Sequence, residues 1–234
     1  MKIGIIGAMD VEVELLRSQL PNAKVTQVAG TELVEGTLGN TDVVVVRCGI
    51  GKVNAGICVQ VLADVCHVTH VINTGVAGSL DARLDIGDLV VSRDCVEHDF
   101  SVGPLGYAPG LIPGRDVPEF VADAELVAAV QEAAAAVAPE VRCEVGRVAS
   151  GDQFISADAD KRRITETFGA TCCEMEGAAI AQAATANGLP FVVVRAISDK
   201  PGTESQFMDY DAFEREAAHR CARIVAHMVA ELAA

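Results

Sequence analysis

The chain has 234 residues, half of them hydrophobic and 22% charged, which is enough to bury one sizeable α/β core as a single domain over residues 1–234. Thirty-three acidic residues against 18 basic ones leave a net charge of −15, which opposes a phosphate backbone and argues against nucleic acid as a partner. No apolar run approaches the roughly 20 residues needed to cross a bilayer, so no membrane partner is expected.

A first strand is predicted at residues 2–7; with no signal-peptide cleavage pattern ahead of it, a cytoplasmic location is the expectation. Gly7-Ala8-Met9-Asp10 ends this strand and opens a helix over 9–20. There Asp10, Glu14 and Arg17 recur at i, i+4 and i+7 as a solvated face, while Glu12 shares its side with Leu15 and Leu16. A carboxylate on the apolar side, one turn beyond a strand end, is poised for a cleft. The plainer reading is an N-terminal acid favoured by the helix dipole.

Strands follow at 23–29, 31–37 and 42–48, and the alternating polar pattern of the first two makes this region antiparallel, so the sheet is mixed. Cys48-Gly49-Ile50-Gly51-Lys52 then opens a helix over 52–67. It is neither a dinucleotide fingerprint nor a Walker A loop, because the glycine spacing is wrong and no Ser or Thr follows the lysine. A strand at 68–74 leads into Asn73-Thr74-Gly75-Val76-Ala77-Gly78, read as a small-residue turn that either lets the backbone approach a ligand or is an ordinary glycine turn.

After a strand at 88–93, residues 99–119 are dense in Gly and Pro; a loop of that length is expected to be functional or part of an interface. A helix at 123–137 and a strand at 141–149 precede Ser150-Gly151-Asp152-Gln153-Phe154-Ile155, where Phe154 is either a stacking surface or a core residue. A helix at 157–167 carries the one basic cluster, Lys161-Arg162-Arg163, read as a solvated face. A strand at 171–175 ends in Glu174-Met175-Glu176-Gly177, where period-two alternation places both acids on one face, as a sugar-hydroxyl clamp or as exposed strand-end acids. Past a helix at 177–187, the strand at 190–197 has the continuous apolar run Phe191–Val194 of a central parallel strand and leads into Arg195, Ser198 and Asp199. Ligands bind beyond the carboxyl ends of such strands. A helix over 209–233 closes the chain.

This alternation predicts an α/β fold, a three-layer α/β/α sandwich with a mixed central sheet. The eight cysteines form no C-x-x-C pair and read as reduced core thiols. His67 and His70 lack a third ligand nearby, so no metal is expected. With no Ser-His-Asp order and no cofactor motif, the strand ends converge on carboxylates and a ring. That set suits acid/base chemistry on a neutral polar molecule with a planar group.

Taken together, these residues resemble the 5′-methylthioadenosine/S-adenosylhomocysteine nucleosidases of the nucleoside phosphorylase superfamily. The resemblance covers essentially the whole chain. It runs through Met1–Met9 with Glu12, Gly49-Ile50-Gly51-Lys52-Val53, Ile72-Asn73-Thr74-Gly75, His98-Asp99, Gly106-Tyr107, Ser150-Gly151-Asp152, Phe154-Ile155, Glu174-Met175-Glu176 and Arg195–Asp199. It implies a nucleoside phosphorylase-like fold that takes no cofactor and acts on small adenine nucleosides. Asp199 would be the general acid to adenine N7, positioned by Ser198, and Glu12 the base for the attacking water, assisted by Arg195. Met175 and Glu176 would hold the ribose beside Glu174, with Val76, Ala77 and Gly78 bordering the site. Phe154 would stack on the adenine, and the Ile155 backbone would read its edge. Met9, Ile50 and Tyr210 would line the pocket from the same chain, while Val102, Leu105, Tyr107 and Pro113 would reach across a homodimer to cover the 5′-thio tail.

The superfamily's other branch uses phosphate as nucleophile, and a purine nucleoside phosphorylase is the alternative. Only Arg47 and Arg195 are candidate counter-charges for a phosphate beside Glu12, so water is favoured. Two departures bear on rate and on the 5′ substituent: Val76 stands where the family often has serine, and Leu105 where it often has phenylalanine.

Overall fold

Strands and helices alternate in a computed structural model that describes residues 1–201, 203, 204 and 206–232, with Phe207 described for its backbone alone. In chain order the elements are β1 (Lys2–Gly7), α1 (Asp10–Ser18), β2 (Lys24–Val28), β3 (Thr31–Leu38), β4 (Thr41–Arg47), α2 (Lys52–Asp64), β5 (His70–Ser79) and β6 (Leu89–Glu97). They continue as β7 (Phe120–Val121), α3 (Ala124–Val137), β8 (Cys143–Ser150), α4 (Asp158–Phe168), β9 (Cys172–Glu174), α5 (Gly177–Ala186), β10 (Phe191–Asp199) and α6 (Gln206–Glu231).

β1 lies between β4 and β5, parallel to both, and β4-β3-β2 form an antiparallel edge. On the other side the strands close on themselves. β5 pairs with β10 in parallel, β10 with β6 antiparallel, β6 with β8 and β8 with β9 in parallel, and β9 returns antiparallel to β5 at Gly78 and Ser79. The mixed sheet is thus open at one end and a ring of five strands at the other.

Alternation along the strands feeds two cores. Ile3 and Ile5 of β1 point into a cluster built with Val13 and Leu16 of α1, Leu126 and Val130 of α3, and Ile224, Val225 and Met228 of α6. Ile6 points the other way, to Ala55, Val59 and Leu62 of α2 and Ile180 of α5. Gly4 faces that second side because Leu62 Cδ1 fills the place of a side chain, 2.9 Å from where a Cβ would stand. α4 covers a smaller cluster through Ile164 and Phe168, packed on Val96, Ala149 and Ile155. This is the three-layer arrangement expected.

The predicted elements all occur among the described residues, with boundaries shifted by a few residues; residue 233 of the predicted last helix lies outside the described residues, and the larger differences have physical causes. Asn73–Gly78 is not a turn: β5 continues through it, because Gly75, Val76 and Ala77 stay in register with Arg195, Ala196 and Ile197 of β10. Pairing overrides the glycine signal. β6 and β10 likewise run on to Glu97 and Asp199. β7 was not anticipated; its two residues have a partner only in Asp94 and Cys95 of β6, too short a span for a periodic signal. The loop over 99–119 holds a single 3-10 turn, Gly103–Leu105. The polar face of α1 is not simply solvated: Asp10 pairs with Arg47 and Arg17 with Glu32, both at 3.3 Å, and Glu14 with His219 at 2.8 Å and with Arg215.

Among the described residues no helix is long and apolar enough to cross a membrane.

Candidate active site

A cavity opens where the carboxyl ends of β1, β5, β9 and β10 come together, lined also by the segments before α2 and after β8. It offers about 120 Å³ of water-accessible space and opens to solvent. Met9, Glu12, Ile50, Val76, Ala77, Gly78, Phe154, Ile155, Glu174, Met175, Glu176, Ser198, Asp199 and Tyr210 all line it.

Glu12 is buried in the first turn of α1, whose N-cap, Met9, is extended. Its Oε2 accepts the Ala8 N–H at 2.7 Å and the Met9 N–H at 3.0 Å, and its Oε1 accepts the Val76 N–H of β5 at 3.0 Å. The carboxylate therefore caps its own helix and pins β5 to β1. Burial raises its pKa, and the Arg195 charge and the three N–H bonds offset this only in part.

Asp199 ends β10, buried. Ser198 Oγ donates to its Oδ1 and Gln206 Nε2 to its Oδ2, each at 2.8 Å. Burial raises this pKa too; the two donors pull it back part of the way, and the Asp209 charge adds to the rise. A carboxyl so placed retains its proton above the ordinary aspartate range, as a proton donor must. Gln206 also donates to the Ile155 carbonyl at 2.8 Å, tying the acid to the wall that carries Phe154.

Behind the cavity lies a buried charge cluster. Glu174 accepts from Ser150 Oγ, from the Glu176 N–H (3.1 Å), from the Gly177 N–H (2.8 Å) and from Arg195. Its oxygens are fully engaged, so it acts as a brace. Arg195, 2% exposed, also donates to Asn73 Oδ1 at 2.6 Å. Burial works against its charge, but Glu174, Glu12 and Glu176 together hold its pKa above the ordinary value. It does not line the cavity, and acts on it through these carboxylates.

Glu176 differs from Glu174. Its Oε1 accepts the Gly51 N–H at 2.7 Å, and its Oε2, 4.0 Å from Arg195 Nη2, takes no hydrogen bond among the described residues. Burial and the neighbouring Glu174 charge raise its pKa. Neither acid is the exposed strand-end residue of the plainer reading; both are buried.

Phe154 is 46% exposed and meets Tyr210 edge to face, with ring centroids 5.6 Å apart, so it is a cavity wall and no core residue. Tyr210 donates its hydroxyl to Glu214 at 2.5 Å. Val102, Leu105, Tyr107 and Pro113 lie on the loop outside the lining, Leu105 being 73% exposed. The sequence did not single out Gln153, Cys173, Pro201 or Gln206 as site residues. Cys173 and Gln153 could have been found as neighbours of Glu174 and Phe154, whereas nothing local marks Gln206. No group of three or more His, Cys, Asp or Glu among the described residues is placed to hold a metal ion.

The phosphorylase superfamily family model matches residues 2–230. A 5′-methylthioadenosine/S-adenosylhomocysteine nucleosidase from Tolumonas auensis is 40% identical over 97% of this chain and 98% of its own length. Among solved structures, a nucleosidase of the same kind from Colwellia psychrerythraea, in complex with adenine, superposes with a TM-score of 0.94 at 38% identity, covering 99% of this chain and 96% of that one. Futalosine hydrolase of Helicobacter pylori superposes with a TM-score of 0.93 at 31% identity, over 99% of this chain and 98% of that one.

Proposed function

We propose that this chain, which belongs to the 5′-methylthioadenosine/S-adenosylhomocysteine nucleosidases within the phosphorylase superfamily, hydrolyses the N-glycosidic bond of those two nucleosides as one domain spanning residues 1–234. The observation that carries this reading is a single cavity holding a buried proton-retaining acid, Asp199, a buried carboxylate set on three N–H groups, Glu12, and an acceptor with one free oxygen, Glu176.

Adenine lies against Phe154, with its edge at Ile155 and Asp199. As the bond from C1′ to N9 breaks, Asp199 gives its proton to N7 and adenine leaves neutral. The sugar gains oxocarbenium character beside Glu12 and Glu174, whose negative charge favours it. Water attacks C1′ and gives a proton to Glu12, whose raised pKa makes it a stronger base than an ordinary carboxylate. Arg195 keeps the neighbouring carboxylates from repelling one another, and Glu176 Oε2 takes the ribose hydroxyls next to Met175.

Water is the nucleophile because no Lys, Arg or His is among the described residues that line the cavity. Arg195 is committed to Glu174 and Asn73, and Arg47 pairs with Asp10 outside. A phosphate dianion would face the Glu12 and Glu174 carboxylates with no cation of its own.

The loop residues Val102, Leu105, Tyr107 and Pro113 cover the 5′ tail of a second copy's substrate in a homodimer. Leu105, 73% exposed, supplies apolar surface for that contact. Light scattering at micromolar concentration checks it, a monomer mass being fatal. The eight unpaired thiols suit a reducing cytoplasm.

The deciding experiment is adenine release from methylthioadenosine in phosphate-free buffer, for the wild type and Asp199→Asn. The wild type turns over without phosphate, and the variant loses about 10²- to 10⁴-fold in kcat while still binding a substrate analogue. Turnover that appears only with phosphate overturns the hydrolase reading, and near-wild-type Asp199→Asn overturns the acid. The futalosine hydrolase likeness makes futalosine the comparison substrate.

A further inference from the structure

Outside the cavity, a circuit of bonds joins its two side walls. Lys52 Nζ donates to Asp99 Oδ1 at 2.6 Å and to Glu97 at 2.5 Å. Asp99 Oδ2 accepts the Asp152 N–H at 2.8 Å, and Asp152 Oδ1 accepts the Lys52 N–H at 2.8 Å. The circuit leaves from the Lys52 side chain and returns to the Lys52 backbone. It fixes the orientation of the peptide between Gly51 and Lys52.

The neighbouring N–H in the chain, that of Gly51, is the one Glu176 accepts at 2.7 Å. Gly51 has φ +98, a conformation that few side chains tolerate, and a methyl there would stand 3.1 Å from Asp152 Oδ1. Asp152 comes just before Gln153 and Phe154 of the opposite wall, and Ile50 just before Gly51. None of Lys52, Asp99 and Asp152 lines the cavity, and the chemistry proposed above uses none of them.

We propose that Lys52, Asp99 and Asp152 are positioning residues: the circuit presents the Gly51 N–H to Glu176 Oε1, which holds that carboxylate with Oε2 turned to the ribose hydroxyls. The idea rests on the reading of Glu176 as the ribose acceptor. It explains why a charged lysine is held between two carboxylates at a helix start, where a cation opposes the helix dipole.

The test is Asp152→Ala, chosen because Asp152 is exposed and its loss removes one acceptor without emptying a core. KM for methylthioadenosine should rise about five- to tenfold, the worth of one ordinary hydrogen bond, with kcat changed less than about twofold. Inhibition by free adenine, which has no ribose, should not change. In a Glu176→Gln background the same substitution should add nothing, since the group it orients is already altered. Lys52→Met should repeat the pattern and Lys52→Arg should recover part of it. An unchanged KM in Asp152→Ala, an equal loss of adenine affinity, or an undiminished effect beside Glu176→Gln each overturns the proposal. Wild-type protein that releases no adenine in the same series overturns the functional reading instead.

Discussion

Gly75 is where strand pairing and catalysis compete for the same space. It sits opposite Arg195 in the β5–β10 register, and a methyl group there would stand 2.6 Å from Arg195 Nη1, 2.9 Å from Glu12 Cδ and closer still to Glu12 Oε1. Ordinary contact needs about 3.5 Å, so Gly75→Ala must push one of these groups by about 1 Å. Neither can yield freely, since Glu12 is held by three backbone N–H groups and Arg195 by Glu174 and Asn73. A misplacement of about 1 Å costs on the order of 10² in rate, or about 2.7 kcal/mol of transition-state stabilisation. Overpacking a buried site costs a further 1–3 kcal/mol or so of stability, a fall in Tm of roughly 2–12 °C for a chain this long. Adenine release gives kcat/KM, and a calorimetric melt gives Tm. Turnover within about threefold of wild type, with an unchanged melt, would show that Glu12 and Arg195 do not crowd Gly75, and the arrangement drawn for the attacking water would fall with them.

Two further outcomes follow from the buried charges. Glu174→Ala leaves Arg195 without its closest carboxylate and strips Ser150 and two N–H groups of their acceptor, at a cost of about 3–5 kcal/mol for the broken ion pair alone. Tm should drop by about 10 °C, and a fall under about 3 °C would refute the brace role. Glu176→Gln tests the sign of a buried ionisation. The folded-state pKa of Glu176 is raised above its unfolded value, so its contribution to stability is complete below the unfolded value and is lost as pH rises through the folded one. The glutamine does not titrate, so the difference in Tm between variant and wild type should move in the variant's favour from pH 5 to about pH 9. A difference that stays flat across that range contradicts the raised pKa.

Much of the site could be read from single elements. Glu12 stood out because its side of α1 carried Leu16, which is fully buried, and Asp199 because it lay just beyond the apolar run Phe191–Val194 of a central strand. What escaped was set by partners distant in sequence. The Val76 N–H that fixes Glu12 lies 64 residues away, and the Gln206 amide that holds Asp199 comes from the next element. Glu174 and Glu176 were read as a pair, yet β9 ends between them. One carboxylate turns inward to Arg195 and accepts the N–H groups at the start of α5, and the other turns to the Gly51 N–H. The glycines of β5 misled for the opposite reason: small residues there serve close approach between strands and carboxylates, and do not turn the chain.

The closed ring of strands also bears on how the enzyme comes into being. Its last links are β9, three residues long, and β10, which begins at Phe191. Until β9 bridges β5 and β8, and β10 lies between β5 and β6, the circuit is broken. Contacts of such long range are slow to form, because loop closure precedes any compensating burial. Arg195 and Asp199 lie on β10 and their neighbour Glu174 on β9, so Glu12 is made long before the residues that complete its site. The cavity wall that these strands carry is therefore complete only when the last links of the ring are in place.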